Sequence, residues 1–324
     1  MPALFQREFV AAVDIGGTNT VFAIIDRDGA IISRGSLPTR SEPSAEKYIH
    51  SVAEAIRSKL DGIVITAVGI GAPNGNYFKG TIEFAPNLPW RGIIDLSGQF
   101  HRLLGVPAFV TNDANAAALG EKYYGAAKDM NDFIFVTLGT GLGSGFVVNG
   151  QLVHGHDGFA GELGHTIAIQ HGRPCGCGRK GCLEQYCSAT GLVKTYLEIL
   201  RNSGFGEHRL SSLSEITSKD VFDKAMAGDE AAFYAFNYTG EILGFALANS
   251  VAYTSPEAIF LFGGLVQAGE LLFAPTRLSF EKNLLELYKD KVTLLPSGLP
   301  ENDAALLGAA SHAWNEIIKY STVK

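Results

Sequence analysis

Asp14-Ile15-Gly16-Gly17-Thr18-Asn19-Thr20 closes one apolar run and opens a second. Residues 9–14 are apolar enough for a buried strand, and residues 21–26 and 30–35 flank Arg27-Asp28-Gly29, a hairpin-like turn. Two adjacent glycines let the backbone approach a ligand closely, and the amides of such a turn can donate to phosphate oxygens. Thr18 and Thr20 add hydroxyl donors, and Asp14 could hold a Mg²⁺ ion through water. A glycine pair at a strand end is also an ordinary structural device, so this stretch does not decide the function alone.

The same layout returns further along. Thr137-Leu138-Gly139-Thr140-Gly141-Leu142-Gly143-Ser144-Gly145 joins a strand at 133–138 to one at 144–148, and Asn149-Gly150 is the next hairpin turn. Strand, glycine turn, strand and hairpin turn thus occur at residues 10–32 and again at 134–153, which predicts two related halves, each a mixed sheet with helices. The turn joins two strands and lacks Gly-Lys-Ser, so it is neither a P-loop nor a dinucleotide fingerprint. Two such turns, one per half, could grip a nucleoside triphosphate from both sides of a cleft.

Between the turns the pattern predicts a helix over 43–60 with Pro43 at its start, a strand buried on both faces at 63–71, and a helix over 95–104 closed by Gly105. A strand at 108–111 leads to Asn112-Asp113, one of which caps a helix running to Tyr124. A carboxylate at that junction can accept a proton from a hydroxyl attacking a phosphoryl group, although a capping aspartate would look the same. Residues 184–253 read as mostly helical, 258–262 as a strand ending in Gly263-Gly264, and 303–320 as a last helix folding back onto the first half. The expected division is 1–123 plus 304–324 against 124–303, with a hinge and a cleft between them.

Composition bounds the partners. The 324 residues suffice for two domains, with 46% hydrophobic and 18% charged residues. A net charge of −7 argues against nucleic acid or an anionic membrane as the main partner. Residues 1–9 hold no long apolar stretch and 63–70 is too short to span a bilayer, so a cytoplasmic protein is expected. The four cysteines, Cys175, Cys177, Cys182 and Cys187, sit in one segment, which reads as a metal site rather than a disulfide framework. Three thiolates of Cys175, Cys177 and Cys182 plus one more ligand would complete a tetrahedral, structural zinc site, with His165, His171 and Cys187 as candidates for the fourth.

Together these motifs resemble the ROK family of bacterial sugar kinases and sugar-responsive repressors, over essentially the whole chain. The most specific element is Glu162-x-x-His165 followed by the cysteine run from Cys175 to Glu184. The resemblance implies an α/β, two-domain actin-like (ribonuclease-H-like) sugar kinase fold with an interdomain cleft. It implies that Asp14, Gly16, Gly17, Thr18 and Asn19, together with Thr137, Gly139, Thr140, Gly141 and Gly143, bind the phosphates of Mg²⁺·ATP, and that Gly263 and Gly264 border the adenosine. It assigns sugar contacts to Asn87, Asn112, Asp113, Glu162, His165 and Glu184, with Asp113 as catalytic base. It makes His165, Cys175, Cys177 and Cys182 the zinc ligands, and it implies a homodimer. Glucose is the expected substrate, ahead of mannose, N-acetylglucosamine, fructose and allose. The stretch Gly71-Ala72-Pro73-Asn74-Gly75 departs from the family's Gly-x-Pro-Gly, which leaves hydroxyl specificity open. Two rivals remain: a sugar-sensing regulator on the same fold, disfavoured by the early start of the first strand and the acidic charge, and a non-catalytic binding module, which leaves both glycine turns without a purpose.

Overall fold

The computed structural model describes residues 8–203, 215–300 and 303–322. The expectations for residues 1–7, and the 204–214 part of the expected helical stretch, lie outside the described residues.

Two compact units are present: Met1–Met130 with Leu152–Ala160 and Gly298–Lys324, and Asn131–Gln151 with Gly161–Ser297. Leu152–Ala160, which the sequence division counts with the second half, clusters with the first unit. In unit 1, β1 (Phe9–Ile15), β2 (Asn19–Asp26) and β3 (Ile31–Pro38) form an antiparallel meander, and β4 (Ile65–Ala72) and β8 (Ala108–Asn112) extend it in parallel, in the order β3-β2-β1-β4-β8. In unit 2, β9 (Phe133–Leu138), β10 (Leu142–Val148) and β11 (Gln151–Leu152) repeat the meander, while β12 (Ala258–Phe262) and β13 (Thr293–Pro296) repeat the parallel extension, in the order β11-β10-β9-β12-β13. The duplication expected from the two glycine turns is therefore a duplication of whole sheets.

Side-chain alternation sets the layers. Ala11, Val13 and Ile15 face α1 (Ala45–Ser58) and α2 (Leu96–Leu104) in one apolar cluster, whereas Val10 and Ala12 face α8 (Ala304–Thr322) in another. A strand buried on both faces has to read as a continuous apolar run, as β1 and β4 do. Helix α1 starts later than expected, because Ser44 rather than the region of Pro43 makes the cap, its side chain accepting from Lys47 N–H. Gly105, at φ 75°, ends α2 as expected.

Helix α3 (Asp113–Tyr124) follows β8, and α8 packs against it and against β4 through glycines. A Cβ on Gly69 would lie 1.8 Å from the Ala309 carbonyl oxygen, and one on Gly308 would lie 2.5 Å from that of Ala116. Buried Glu121 of α3 accepts from Ala126 N–H at 2.7 Å and Gly298 N–H at 2.9 Å, tying the start of the returning segment to unit 1. In unit 2, α4 (Ala189–Asn202), α5 (Ser218–Met226), α6 (Glu230–Thr254) and α7 (Glu270–Asn283) supply most of the remaining core. Sequence reading missed α7, β13 and the small sheet of β5 (Gly75–Asn76), β6 (Thr81–Glu83) and β7 (Ile93–Asp95), whose strands are too short to show an alternation. No described helix is long and apolar enough to cross a membrane.

Candidate functional site

Unit 1 gathers its acidic groups at the ends of three neighbouring parallel strands. Asp14 lies near the end of β1 and pairs with Gly71 on β4, while Asn112 ends β8 opposite Ala72. A Cβ on Gly71 would sit 3.8 Å from both Asp14 Oδ1 and Asp113 Cα, so this glycine borders both acids. The cap of α3 is Asn112, whose Oδ1 accepts from Ala114 N–H at 2.8 Å and Asn115 N–H at 3.4 Å. Asp113 therefore stands at the first position inside the helix, exposed, with Oδ1 accepting from Ala114 N–H at 2.8 Å. The reading of Asp113 as the cap is thus excluded.

Electrostatics singles out the same pair. Burial, and then the charge of Asp113, raise the Asp14 carboxyl to about 7. Loss of surrounding water raises Asp113 above the usual carboxylate range, against hydrogen bonds from Ala114 N–H and its own backbone that lower it. Its side chain remains reachable from solvent, so a substrate could reach it as well. Two adjacent acids that resist ionisation together suit a proton acceptor beside a cation site.

The first glycine turn is tightly drawn. Gly16 N–H donates to the Asn19 carbonyl at 3.0 Å, and a Cβ on Gly16 would approach that oxygen to 2.8 Å. A Cβ on Gly17 would lie 3.1 Å from the Asn87 carbonyl oxygen, so the turn and Asn87 are neighbours. Thr18 and Asn19 are exposed at the tip. Thr20 is not: it is buried, bonded to Thr39 at 3.0 Å and to Tyr48, and its hydroxyl holds the core rather than a phosphate.

Unit 2 places its glycine segments at the ends of two neighbouring parallel strands. Thr137 near the end of β9 pairs with Phe262 at the end of β12, which sets the β9–β10 turn beside Gly263-Gly264. Gly143 N–H donates to Thr137 Oγ1 at 3.1 Å and Gly139 N–H to the Gly141 carbonyl at 3.0 Å. The Thr140 carbonyl accepts from the Thr190 hydroxyl. Gly263, at φ 106°, could not carry a Cβ, which would meet the Leu138 carbonyl oxygen at 2.7 Å. Nothing lies within 4 Å of the Cβ positions of Gly139 and Gly264, which leaves room for a ligand against the backbone.

Glu184 reaches this turn. Its Oε2 accepts from Leu142 N–H at 3.1 Å, and a Cβ on Gly141 would come within 2.4 Å of the same oxygen. Its Oε1 lies 3.9 Å from Cys175 Sγ, so one carboxylate links the turn to the cysteine loop. Sequence reading missed this link, which joins residues 42 apart and has no local signature.

The ligand atoms of His165, Cys175, Cys177 and Cys182 all lie within 4.8 Å of one another. Cys177 and Cys182 sulfurs are 3.5 Å apart, and His165 Nδ1 is 3.7 Å from Cys175 Sγ. Tetrahedral zinc with sulfur at about 2.3 Å and nitrogen at about 2.0–2.1 Å needs ligand separations of roughly 3.5–3.8 Å, so the four residues fit a metal. The sulfurs are too far apart for a disulfide. Burial opposes ionisation at Cys177, but hydrogen bonds from Arg179 and the neighbouring thiols pull it down overall, while burial and then the thiols of Cys177 and Cys175 push Cys182 up. His171 lies outside this cluster, and so does Cys187, whose buried thiol donates to the Thr239 carbonyl at 3.5 Å. His165 is held over the loop by the Arg179 guanidinium, which donates to its carbonyl at 2.6 Å.

A duplicated sheet, each copy carrying a strand-linking glycine turn, with a Cys₃His cluster in the second, defines a recognisable class. The model of the ROK family matches residues 10–316, and the chain belongs to that family. It is 35% identical over 310 residues to a glucokinase of Halalkalibacterium halodurans, covering 91% of this chain and 92% of that protein. It is 31% identical to a xylose repressor of Bacillus spizizenii, covering 91% of this chain and 74% of that protein. Among solved structures, the ROK family glucokinase from Streptomyces griseus in complex with glucose and AMPPNP superposes with a TM-score of 0.77 at 34% identity, over 95% of this chain and 99% of that one. The fold is the actin-like sugar kinase fold.

Proposed function

We propose that this chain transfers the γ-phosphoryl group of ATP to the 6-hydroxyl of a hexose, glucose foremost. The observation that carries the reading is Asp113, exposed at the start of α3 with one carboxylate oxygen on Ala114 N–H and Asp14 as its neighbour. Asp113 accepts the proton of the hydroxyl as its oxygen attacks the γ-phosphorus. The new O–P bond forms as the bridging P–O bond to ADP breaks, and the proton then leaves Asp113 for solvent. Asp14 suits a water-mediated contact with the Mg²⁺ that accompanies ATP, and that ion would offset charge on the phosphates.

The turns at Gly16-Gly17 and 139–143 suit the phosphates, and Gly263-Gly264 the adenosine, because open backbone there admits a ligand. Asn87, Asn112, Glu162, His165 and Glu184 would hold the sugar. Zinc at His165, Cys175, Cys177 and Cys182 would be structural, since four protein ligands leave no open position, and it would fix His165 through Nδ1. Reduced, metal-binding cysteines and use of ATP fit the cytoplasm.

The glucokinase relative and the glucose- and AMPPNP-bound neighbour support this reading, and the xylose repressor relative keeps a regulator without kinase activity as the alternative. The open Gly139 and Gly264 positions favour the kinase. A coupled ADP-release assay with Mg·ATP against glucose, mannose, N-acetylglucosamine, N-acetylmannosamine and fructose decides between them. The expected result is sugar-dependent ADP production, fastest with glucose; sugar binding with no ADP from any member of the panel would establish the regulator.

A further inference from the structure

The buried hydroxyl of Thr20 belongs to a chain of hydroxyls that ends on the first glycine turn. Thr39 follows β3, where the pairing of Asn19 with Pro38 brings it beside that turn. It grips the turn twice. Its N–H donates to the Thr18 carbonyl at 2.8 Å, and its Oγ1 donates to the Gly16 carbonyl at 2.7 Å. Thr39 Oγ1 lies 3.0 Å from Thr20 Oγ1, which also bonds the hydroxyl of Tyr48 on α1. All three side chains are buried.

Proton counting fixes the direction of the chain. A carbonyl only accepts, and a threonine hydroxyl has one proton to donate. Thr39 uses its proton on Gly16, so it accepts from Thr20, and Thr20 accepts from Tyr48. Burial, against the hydrogen bond to Thr20, raises the Tyr48 hydroxyl well above its ordinary range, and the Asp14 charge adds to this, so the proton stays on. The last acceptor matters most. In a trans peptide the C=O and the following N–H point opposite ways, so holding the Gly16 carbonyl toward Thr39 aims Gly17 N–H away from it.

The ring of Tyr48 supports the neighbouring loop. It packs on Trp90 with centroids 4.4 Å apart and planes tilted by 39°. Trp90 lies in loop 84–92, which Phe84 N–H closes at its base by donating to the Gly92 carbonyl at 2.9 Å. The same loop carries Asn87, whose carbonyl oxygen borders Gly17. One tyrosine thus holds the turn by its hydroxyl and the Asn87 loop by its ring. Packing alone would be met by Val at 39 and Phe at 48, without burying polar groups. What the hydroxyls add is a fixed orientation of one backbone plane.

We propose that Thr39 and Tyr48 are positioning residues of the phosphate turn, their hydroxyl chain setting the Gly16–Gly17 peptide so that Gly17 N–H faces the ATP phosphates. The inference rests on the reading of Gly16-Gly17 as a phosphate turn. Titration calorimetry of the whole protein with Mg·AMPPNP, and separately with its best-bound sugar, tests it in Thr39→Val, Thr39→Ser and Tyr48→Phe, beside amide exchange over residues 15–20. Thr39→Val should raise the nucleotide Kd about tenfold and speed exchange in the turn, while the sugar Kd moves less than about twofold. Thr39→Ser, which keeps the donor, should stay near the wild type, and Tyr48→Phe should fall between. A purely structural role would lower the Tm of Thr39→Val without separating nucleotide from sugar. If Thr39→Val does not fold, Tyr48→Phe decides alone. Absence of ADP with every sugar would remove the kinase reading, and the nucleotide Kd and the exchange would still decide this one. A wild type that binds no Mg·AMPPNP, or the same nucleotide Kd and exchange in wild type and folded variants, overturns the proposal.

Discussion

Asp14 and Asp113 are each pushed toward the protonated form, Asp14 by burial and then by the charge of Asp113, and Asp113 by burial. For Asp113 the consequence is kinetic. A base whose folded pKa is raised loses function as pH falls through that raised value, so the acid limb of kcat/KM should lie above the ordinary carboxylate range near 4. For Asp14 the consequence is thermodynamic. Its folded pKa of about 7 exceeds the ordinary aspartate value near 4, so the native state holds the proton more tightly. The stability it contributes is full below about 4 and is lost as pH rises through about 7. In Mg²⁺-free buffer, Asp14→Asn should therefore raise the Tm at pH 8 by a few degrees, about 2–4 °C per kcal/mol, with the gain gone near pH 4; an unchanged Tm at pH 8 would refute the strained acid pair. The acids were visible in the sequence as Asp14 and Asn112-Asp113. The influence of Asp113 on Asp14 was not, because it arises from three parallel strands ending side by side.

At the scale of the elements, the glycines divide by what they touch. Gly141 is forced by Glu184: a methyl there would drive the carboxylate off Leu142 N–H. Gly141→Ala should raise the KM for ATP about tenfold or more with a smaller change for sugar, measured in the ADP-release assay; equal effects on both would show that the link does not govern the turn. Gly308 is forced by packing instead, and Gly308→Ala should cost about 1–3 kcal/mol in urea unfolding without altering the KM for either substrate. Both turns were legible because their glycines cluster at strand ends, and β12 was legible as an apolar run of five residues. Helix α7 and β13 were not, since α7 carries Pro275 inside it and shows little amphipathic pattern, and β13 is four residues long.

Over the whole molecule, one sheet plan appears twice, and each copy carries a different part of the proposed chemistry: the acids in unit 1, the Cys₃His cluster in unit 2. The cysteine loop between residues 175 and 182 has few regular elements of its own, so a bound metal would supply much of its order. Chelation, or Cys177→Ser, should lower the Tm by several degrees and release about one zinc per chain; no metal in the purified protein and no change in Tm would remove zinc from the account. The central claim is that Asp113 takes the proton in phosphoryl transfer, and the most direct measurement is sugar-dependent ADP production by Asp113→Asn beside its sugar affinity. The account predicts that kcat falls about 10²–10⁴-fold while the Kd for sugar changes only a few-fold. Turnover near that of the wild type would contradict it.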